Sequence, residues 1–208
     1  MKGHLRLIGG KRIQSPQGLT TRPTTARVRE AVMNILGKKI NGSNWLDLFS
    51  GSGIMSCEAL QRGAKSIVAI ERDKRTAEIC KANLISSAVA TSQKESIKVI
   101  CNEVIRVLKK GCPQRKRAED QDNRFDLVYL DPPYSSKIYE STLENLLKGN
   151  WLKKDSLVVC EYSSSITLDT PTLWYEKDRR TYGGSSLLFI TPQTTTSPVL
   201  IPSRNQEA

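Results

Sequence analysis

The apolar run Trp45-Leu46-Asp47-Leu48-Phe49 reads as a buried strand, and it leads at once into Ser50-Gly51-Ser52-Gly53 and a helical stretch, Ile54 to Gln61, that stops at Gly63. Strand, glycine turn and helix in immediate succession make the first unit of a Rossmann-like α/β sheet, where glycines let the backbone approach a ligand closely. A second strand, Ser66 to Ile70, ends in Glu71, 18 residues after Gly53. An acid at that strand end is suited to gripping ribose hydroxyls, so a nucleoside cofactor is expected. Arg72, beside it, is a further candidate for the cofactor site. The third glycine of the dinucleotide fingerprint is replaced by Ser56, which disfavours a nicotinamide-dependent oxidoreductase.

A second apolar strand, Phe125 to Leu130, ends in Asp131-Pro132-Pro133-Tyr134. Two successive prolines give up two backbone donors and fix the chain's direction. Ligands of open α/β sheets sit just past the carboxyl ends of the strands, so this tetrapeptide is read as the floor of an active site. Methylation of an exocyclic amine on a nucleobase needs these residues. The amine lone pair is delocalised into the ring, and acceptors on Asp131 and on the Pro132 carbonyl can each take one N–H and favour a pyramidal nitrogen. Pro133 stiffens the turn, and Tyr134 can stack on the base, an interaction worth about 1–3 kcal/mol. The bland alternative is a tight turn after a buried strand, with a solvated aspartate.

The remaining pattern fills in an α/β domain. Residues 5–20 read as a β-hairpin, although Lys11 and Arg12 leave it little apolar face. A threonine of the Thr21 to Thr25 segment caps a helix bearing Val28, Val32, Ile35 and Leu36 on one face and ending at Gly37. Arg22, Arg27 and Arg29 face either phosphate or cofactor, or are solvated helix charges. Asp73 caps a helix to about Ser86, with Ala77, Cys80 and Leu84 inward. Ile97 to Ile100 is a third strand, and Asn102 at its end can contact an adenine edge, cap the next helix, or both. A strand from Leu157 to Cys160 ends in Glu161, and two last strands, Leu173 to Lys177 and Ser186 to Ile190, form a hairpin around Gly183-Gly184. The expected organisation is a basic hairpin arm over residues 1–23, a catalytic domain over 24–191 with a solvated loop at 109–124, and a flexible tail over 192–208.

Net charge, +11 over 208 residues, favours a polyanionic partner, with nucleic acid leading. The charge is concentrated: residues 1–40 hold nine Lys or Arg against one acid, Glu30. Such an acid-poor stretch resembles a transit peptide in composition, but its Gly9-Gly10 and Pro16-Gln17-Gly18 turn signals fit a mature arm better. Lys11, Arg12, Arg22 and Arg27 are the RNA-binding candidates. Five widely spaced cysteines and one histidine give neither a disulfide framework nor a zinc signature. No metal is expected, and reduced thiols imply a cytosol-like, cytoplasmic setting. Cys57, Cys80 and Cys160 fall on core faces as small apolar fillers. No run approaches 18 apolar residues, so no membrane span is expected.

Taken together, RLIGGKRIQSPQGLTTRPTTARVREAVMNIL (Arg6 to Leu36), DLFSGSG (Asp47 to Gly53), Glu71 and DPPY resemble the RsmD family of bacterial 16S ribosomal RNA guanine-N2 methyltransferases. The resemblance spans about residues 5–190. It implies a class I methyltransferase fold, a seven-stranded sheet with an antiparallel last strand, and S-adenosylmethionine (SAM) as donor with S-adenosylhomocysteine (SAH) as product. It also implies that Asp47, Phe49, Gly51 and Gly53 line the methionine end of the cofactor, that Glu71 holds the ribose, and that Asn102 lies near the adenine. Asp131, itself beside the cofactor, would hold the target base with Pro132 and Tyr134, while the arm grips 16S RNA in a small subunit or its precursor. A monomer is expected. Ser50 departs from the usual alanine, and the 109–124 loop and the tail are additions. The alternatives are a DNA adenine-amine methyltransferase, to which DPPY is equally suited, and a noncatalytic RNA-binding or assembly factor on the same fold.

Overall fold

The computed structural model describes residues 4–16, 25–88, 97–113, 122–133 and 136–193 of the chain. Seven strands form one sheet: β3 (Asn44–Leu48), β4 (Ser66–Glu71), β5 (Ile97–Cys101), β6 (Phe125–Leu130), β7 (Leu152–Ser163), β8 (Trp174–Tyr182) and β9 (Ser185–Pro192). Their order is β5-β4-β3-β6-β7-β9-β8. The first five run parallel, and β9 is antiparallel to both β7 and β8. The chain reverses beside β3, between β4 and β6, which is the switch point where such sheets bind ligands. A separate hairpin pairs β1 (His4–Arg6) with β2 (Arg12–Gln14).

One face of the sheet is covered by α1 (Ala26–Leu36), α2 (Ile54–Gln61) and α3 (Lys74–Ala88), the other by α4 (Val104–Leu108) and α5 (Ser136–Lys148). Helix α1 starts where Thr25 Oγ1 accepts the Val28 N–H at 3.3 Å and ends at Gly37, whose φ of 49° suits glycine. It buries Val28, Val32, Met33 and Leu36 over the strand centre, where Trp45 stacks on Tyr129 at 6.4 Å. Cys57 and Cys80 are fully buried in this core and Cys160 in the one on the opposite face, as their pattern implies.

Three parts differ from the sequence-based expectation. The arm is not short of anchors, because Leu7 and Ile13 flank its turn and are 3% and 4% exposed. Burying two such side chains contributes about 3–6 kcal/mol, enough to hold a hairpin that would be marginal alone. Strand β7 begins at Leu152, not Leu157, because its ladder with β6 shifts register between Phe125 and Leu127 and carries the polar 153–155 segment outward. The loop after α4 has packed ends: Cys112 is buried with its N–H on the Gly149 carbonyl at 2.8 Å, and Asn44 holds the Asp122 and Arg124 carbonyls. The final hairpin turns at Gly183-Gly184, with Tyr182 facing Ser185.

Candidate active site

The sheet order places four strand ends side by side. Asn102 follows β5, Glu71 ends β4, Phe49 to Gly53 follow β3, and Asp131-Pro132 follow β6. Residues dispersed over 84 positions of sequence, from Phe49 to Pro132, thus meet along one edge of the sheet.

The turn after β3 is built from left-handed backbone. Gly51 and Gly53 have φ of 52° and 75°, and Phe49, a non-glycine, has φ of 65°. That conformation costs an L-residue about 1–2 kcal/mol, so the surrounding contacts impose it. The two glycines serve different ends. A Cβ at Gly53 would lie 2.6 Å from Cys80 Sγ on α3, whereas one at Gly51 would project into open space. Gly53 is therefore needed for packing, and Gly51 leaves the cradle open. The Gly51 N–H donates to Glu71 Oε2 at 3.0 Å and the Asp73 N–H to Oε1 at 2.9 Å, so the carboxylate at the end of β4 is held by backbone on both oxygens.

Beneath the turn, Asp47 is 1% exposed and accepts a hydrogen bond from Ser56 Oγ at 2.5 Å. Ser56 thus has a task that glycine could not perform. Burial, against the Ser56 hydrogen bonds, pushes the Asp47 carboxyl up to about 7. Asp131 lies partly exposed at the mouth. Burial of its carboxyl, together with the negative charges of Glu161 and Asp47, holds it well above the usual carboxylate range. Pro132 is buried and Pro133 exposed, and Tyr134 lies outside the described residues.

Other candidates are placed less simply. Asn102 is half-buried and its Oδ1 accepts from the neighbouring Glu103 N–H at 2.9 Å, but the helix N-cap is Glu103, so Asn102 does not cap α4. Arg72 is exposed and faces Glu103 at 3.9 Å, a surface pair of little energetic weight. Arg12 and Arg27 are exposed, while Lys11 donates to the Ser86 carbonyl on α3 at 2.5 Å and so also fastens the arm. Arg22 lies outside the described residues. Arg29 is neither solvated nor turned to a phosphate: it is 5% exposed, pairs with fully buried Glu58 at 3.8 Å and donates to the Arg6 carbonyl at 2.8 Å.

The sequence reading did not single out the pair beside Asp131. Tyr129, two residues back on the same face of β6, donates its hydroxyl to Glu161, and Glu161 extends from β7 next to Asp131. The acid at the end of a parallel strand was the visible signal; the tyrosine, in an apolar run, gave none.

Carboxylates that raise one another's proton affinity suit a cationic guest, and the open Gly51 beside a fixed Glu71 suits a ribose-bearing one. With this strand order, glycine turn and acidic strand ends, the molecule is a class I SAM-dependent methyltransferase fold. A family model described as Conserved hypothetical protein 95 matches residues 5–191. Ribosomal RNA small subunit methyltransferase D of Haemophilus influenzae is 35% identical over 188 residues, 88% of this chain and 91% of that protein. The solved structure of Escherichia coli yhhF superposes with a TM-score of 0.73 at 28% identity, covering 92% of this chain and 99% of that one. At 16% identity an RNA methyltransferase of Salinibacter ruber, solved with SAH, shares the fold with a TM-score of 0.56 over 83% of this chain and 95% of its own. The chain belongs to the Conserved hypothetical protein 95 family, the RsmD family of methyltransferases that its motifs resemble.

Proposed function

We propose that the protein transfers a methyl group from SAM to the exocyclic N2 amine of a guanine in small-subunit ribosomal RNA. The observation that carries the reading is the cluster of acids beside the glycine turn, with Asp47 and Glu161 buried in β3 and β7 and Asp131 partly exposed after β6, where a proline-fixed carbonyl follows it. SAM supplies an electrophilic methyl on a positively charged sulfur. Gly51 and Glu71 position the ribose, Asn102 lies on the adenine side, and Asp47 and Phe49 take the methionine end. The cationic guest would draw Asp131 and Asp47 toward their ionised forms, which turns Asp131 into the acceptor that the amine requires. Asp131 and the Pro132 carbonyl then hold the two amine hydrogens, and Tyr134 supplies a stacking surface. Holding the two reactants in near-attack geometry is worth up to about 7–11 kcal/mol. Ionised Asp131 also receives the proton that the methylated amine sheds. The choice of ribosomal RNA is supported by the relative's name and by the exposed cations Arg12, on the basic arm, and Arg27, at the start of α1.

The test is methyl transfer from labelled SAM to small ribosomal subunits and to free 16S RNA from cells lacking this modification, followed by nucleoside analysis. N2-methylguanosine that disappears with Asp131→Ala is the expected result. N6-methyladenine in DNA would move the assignment to the adenine-amine class. SAM binding without transfer to either substrate would leave a noncatalytic RNA-binding or assembly role.

A further inference from the structure

The arm is joined to the body by buried polar side chains as well as by apolar contact. Arg29 takes the Arg6 carbonyl at 2.8 Å, Glu58 takes the Ile8 N–H at 2.7 Å, and Asn83 takes both backbone groups of Gln14. Asn83 is 2% exposed and its amide is fully used. Its Oδ1 accepts from the Gln14 N–H at 2.9 Å, one Nδ2 hydrogen goes to the Gln14 carbonyl at 2.9 Å, and the other goes to the Ser52 carbonyl at 2.9 Å. Ser52 sits between Gly51 and Gly53, inside the turn assigned to the cofactor. One turn earlier on α3, Cys80 packs against Gly53 and lies 3.6 Å from Ser50 Oγ.

From this bridge we infer that Asn83 is a positioning residue that couples the arm to the cofactor turn, so that RNA at the arm and SAM in the cradle strengthen each other's binding. The inference rests on the arm being the RNA-binding element of the proposed function. Its physical basis is the valence of one amide. A planar group with three partners in two elements cannot reorient toward one without leaving the other, and an abandoned carbonyl at a buried site is costly. RNA that fixes Gln14 therefore fixes Asn83, which fixes Ser52. The ordering is done once and the second ligand meets a turn already set, which is positive cooperativity without a large movement. Linkage requires the effect to be equal in both directions.

The experiment is calorimetric titration of the full chain with SAH, which cannot turn over, in the absence and presence of a saturating 16S RNA fragment that the wild-type enzyme methylates. In the wild type the SAH Kd is expected to fall at least about fivefold on adding RNA, within the usual range of coupling between sites. Asn83→Ala should bring that factor to about one while each ligand still binds by itself. Gln14→Pro removes the arm's donor without touching α3, so it should abolish the coupling in a body whose SAH binding reports an intact fold. A wild-type factor of one, or a factor that survives both variants, overturns the coupling and leaves the proposed reaction untouched. If the wild-type chain binds SAM but methylates no 16S RNA fragment, the functional reading is overturned, and the coupling falls with it.

Discussion

The glycine turn and the arm are held by hydrogen bonds of similar length, but from different kinds of atoms. At the turn, backbone N–H groups of Gly51 and Asp73 hold one side chain, Glu71, and every participant lies in one βαβ unit or directly after it. At the arm the roles are reversed: side chains of Arg29, Glu58 and Asn83 hold backbone groups separated from them by 23, 50 and 69 positions. The first arrangement is set as soon as its unit folds. The second exists only when the finished core has gathered three helices, so it should form late and fail first when its buried side chains are altered.

The largest expected effect is on the turn's side of that contrast. Asp131→Ala should lower methyl transfer by about 10²–10⁴-fold, with SAH binding and unfolding midpoint little changed, because Asp131 lies at the mouth. A comparable loss of stability would instead mark Asp131 as a structural residue. On the arm's side, Glu58→Ala takes the paired carboxylate from buried Arg29 and removes the acceptor of the Ile8 N–H. Denaturant unfolding should register a loss of about 3–5 kcal/mol, and limited proteolysis should open the arm before the body. An arm that stays protected would mean that Leu7 and Ile13 alone suffice to seat it.

A smaller effect is expected from pH. The folded carboxyl of Asp47 titrates near 7, raised by burial above its unfolded value. Between roughly pH 4 and 7 the folded state keeps a proton that the unfolded state has lost, so the apo protein should lose stability as pH rises through that window. A cationic ligand favours the ionised forms of Asp47 and Asp131, so SAM affinity should rise with pH through this window, with the share of Asp47 complete above about 7. Calorimetry in buffers of differing ionisation enthalpy should find proton release near pH 6 that lessens at higher pH as Asp47 ionises in the free protein. Asp47→Asn, which preserves the polar contact with Ser56, should remove that part of the profile.

The same contrast decides what could be read without coordinates. The turn was legible because its signals are local: glycines at 51 and 53, an acid closing the next strand, and an acid with two prolines closing β6. Ser56 was visible only as a missing glycine, since its partner Asp47 lies across the turn. The arm's docking was not legible. Glu58 belongs to a helix buried from Ile54 to Leu60, with no polar face to announce a charged residue's task. Asn83 looks like an ordinary helix polar residue until Gln14 and Ser52 arrive beside it. The start of β7 is not legible because Lys153, Lys154 and Asp155 interrupt its apolar pattern where the ladder shifts register.

The smallest effect sharpens the distinction between gripping RNA and holding the arm in place. Each phosphate neutralised on single-stranded RNA adds about 0.7 to the slope of log affinity against log salt. Arg12→Glu and Arg27→Glu, at exposed positions, should each reduce that slope by about this amount and leave SAH affinity without RNA unchanged. Lys11 differs because its ammonium already rests on the Ser86 carbonyl at the end of α3. Reversing its charge should weaken RNA binding through the posture of the arm, seen as a lower affinity at every salt concentration with a smaller change of slope. Equal slopes for all three variants would show Lys11 leaving α3 to meet a phosphate, and the hydrogen bond to Ser86 would then be a resting position of the free enzyme.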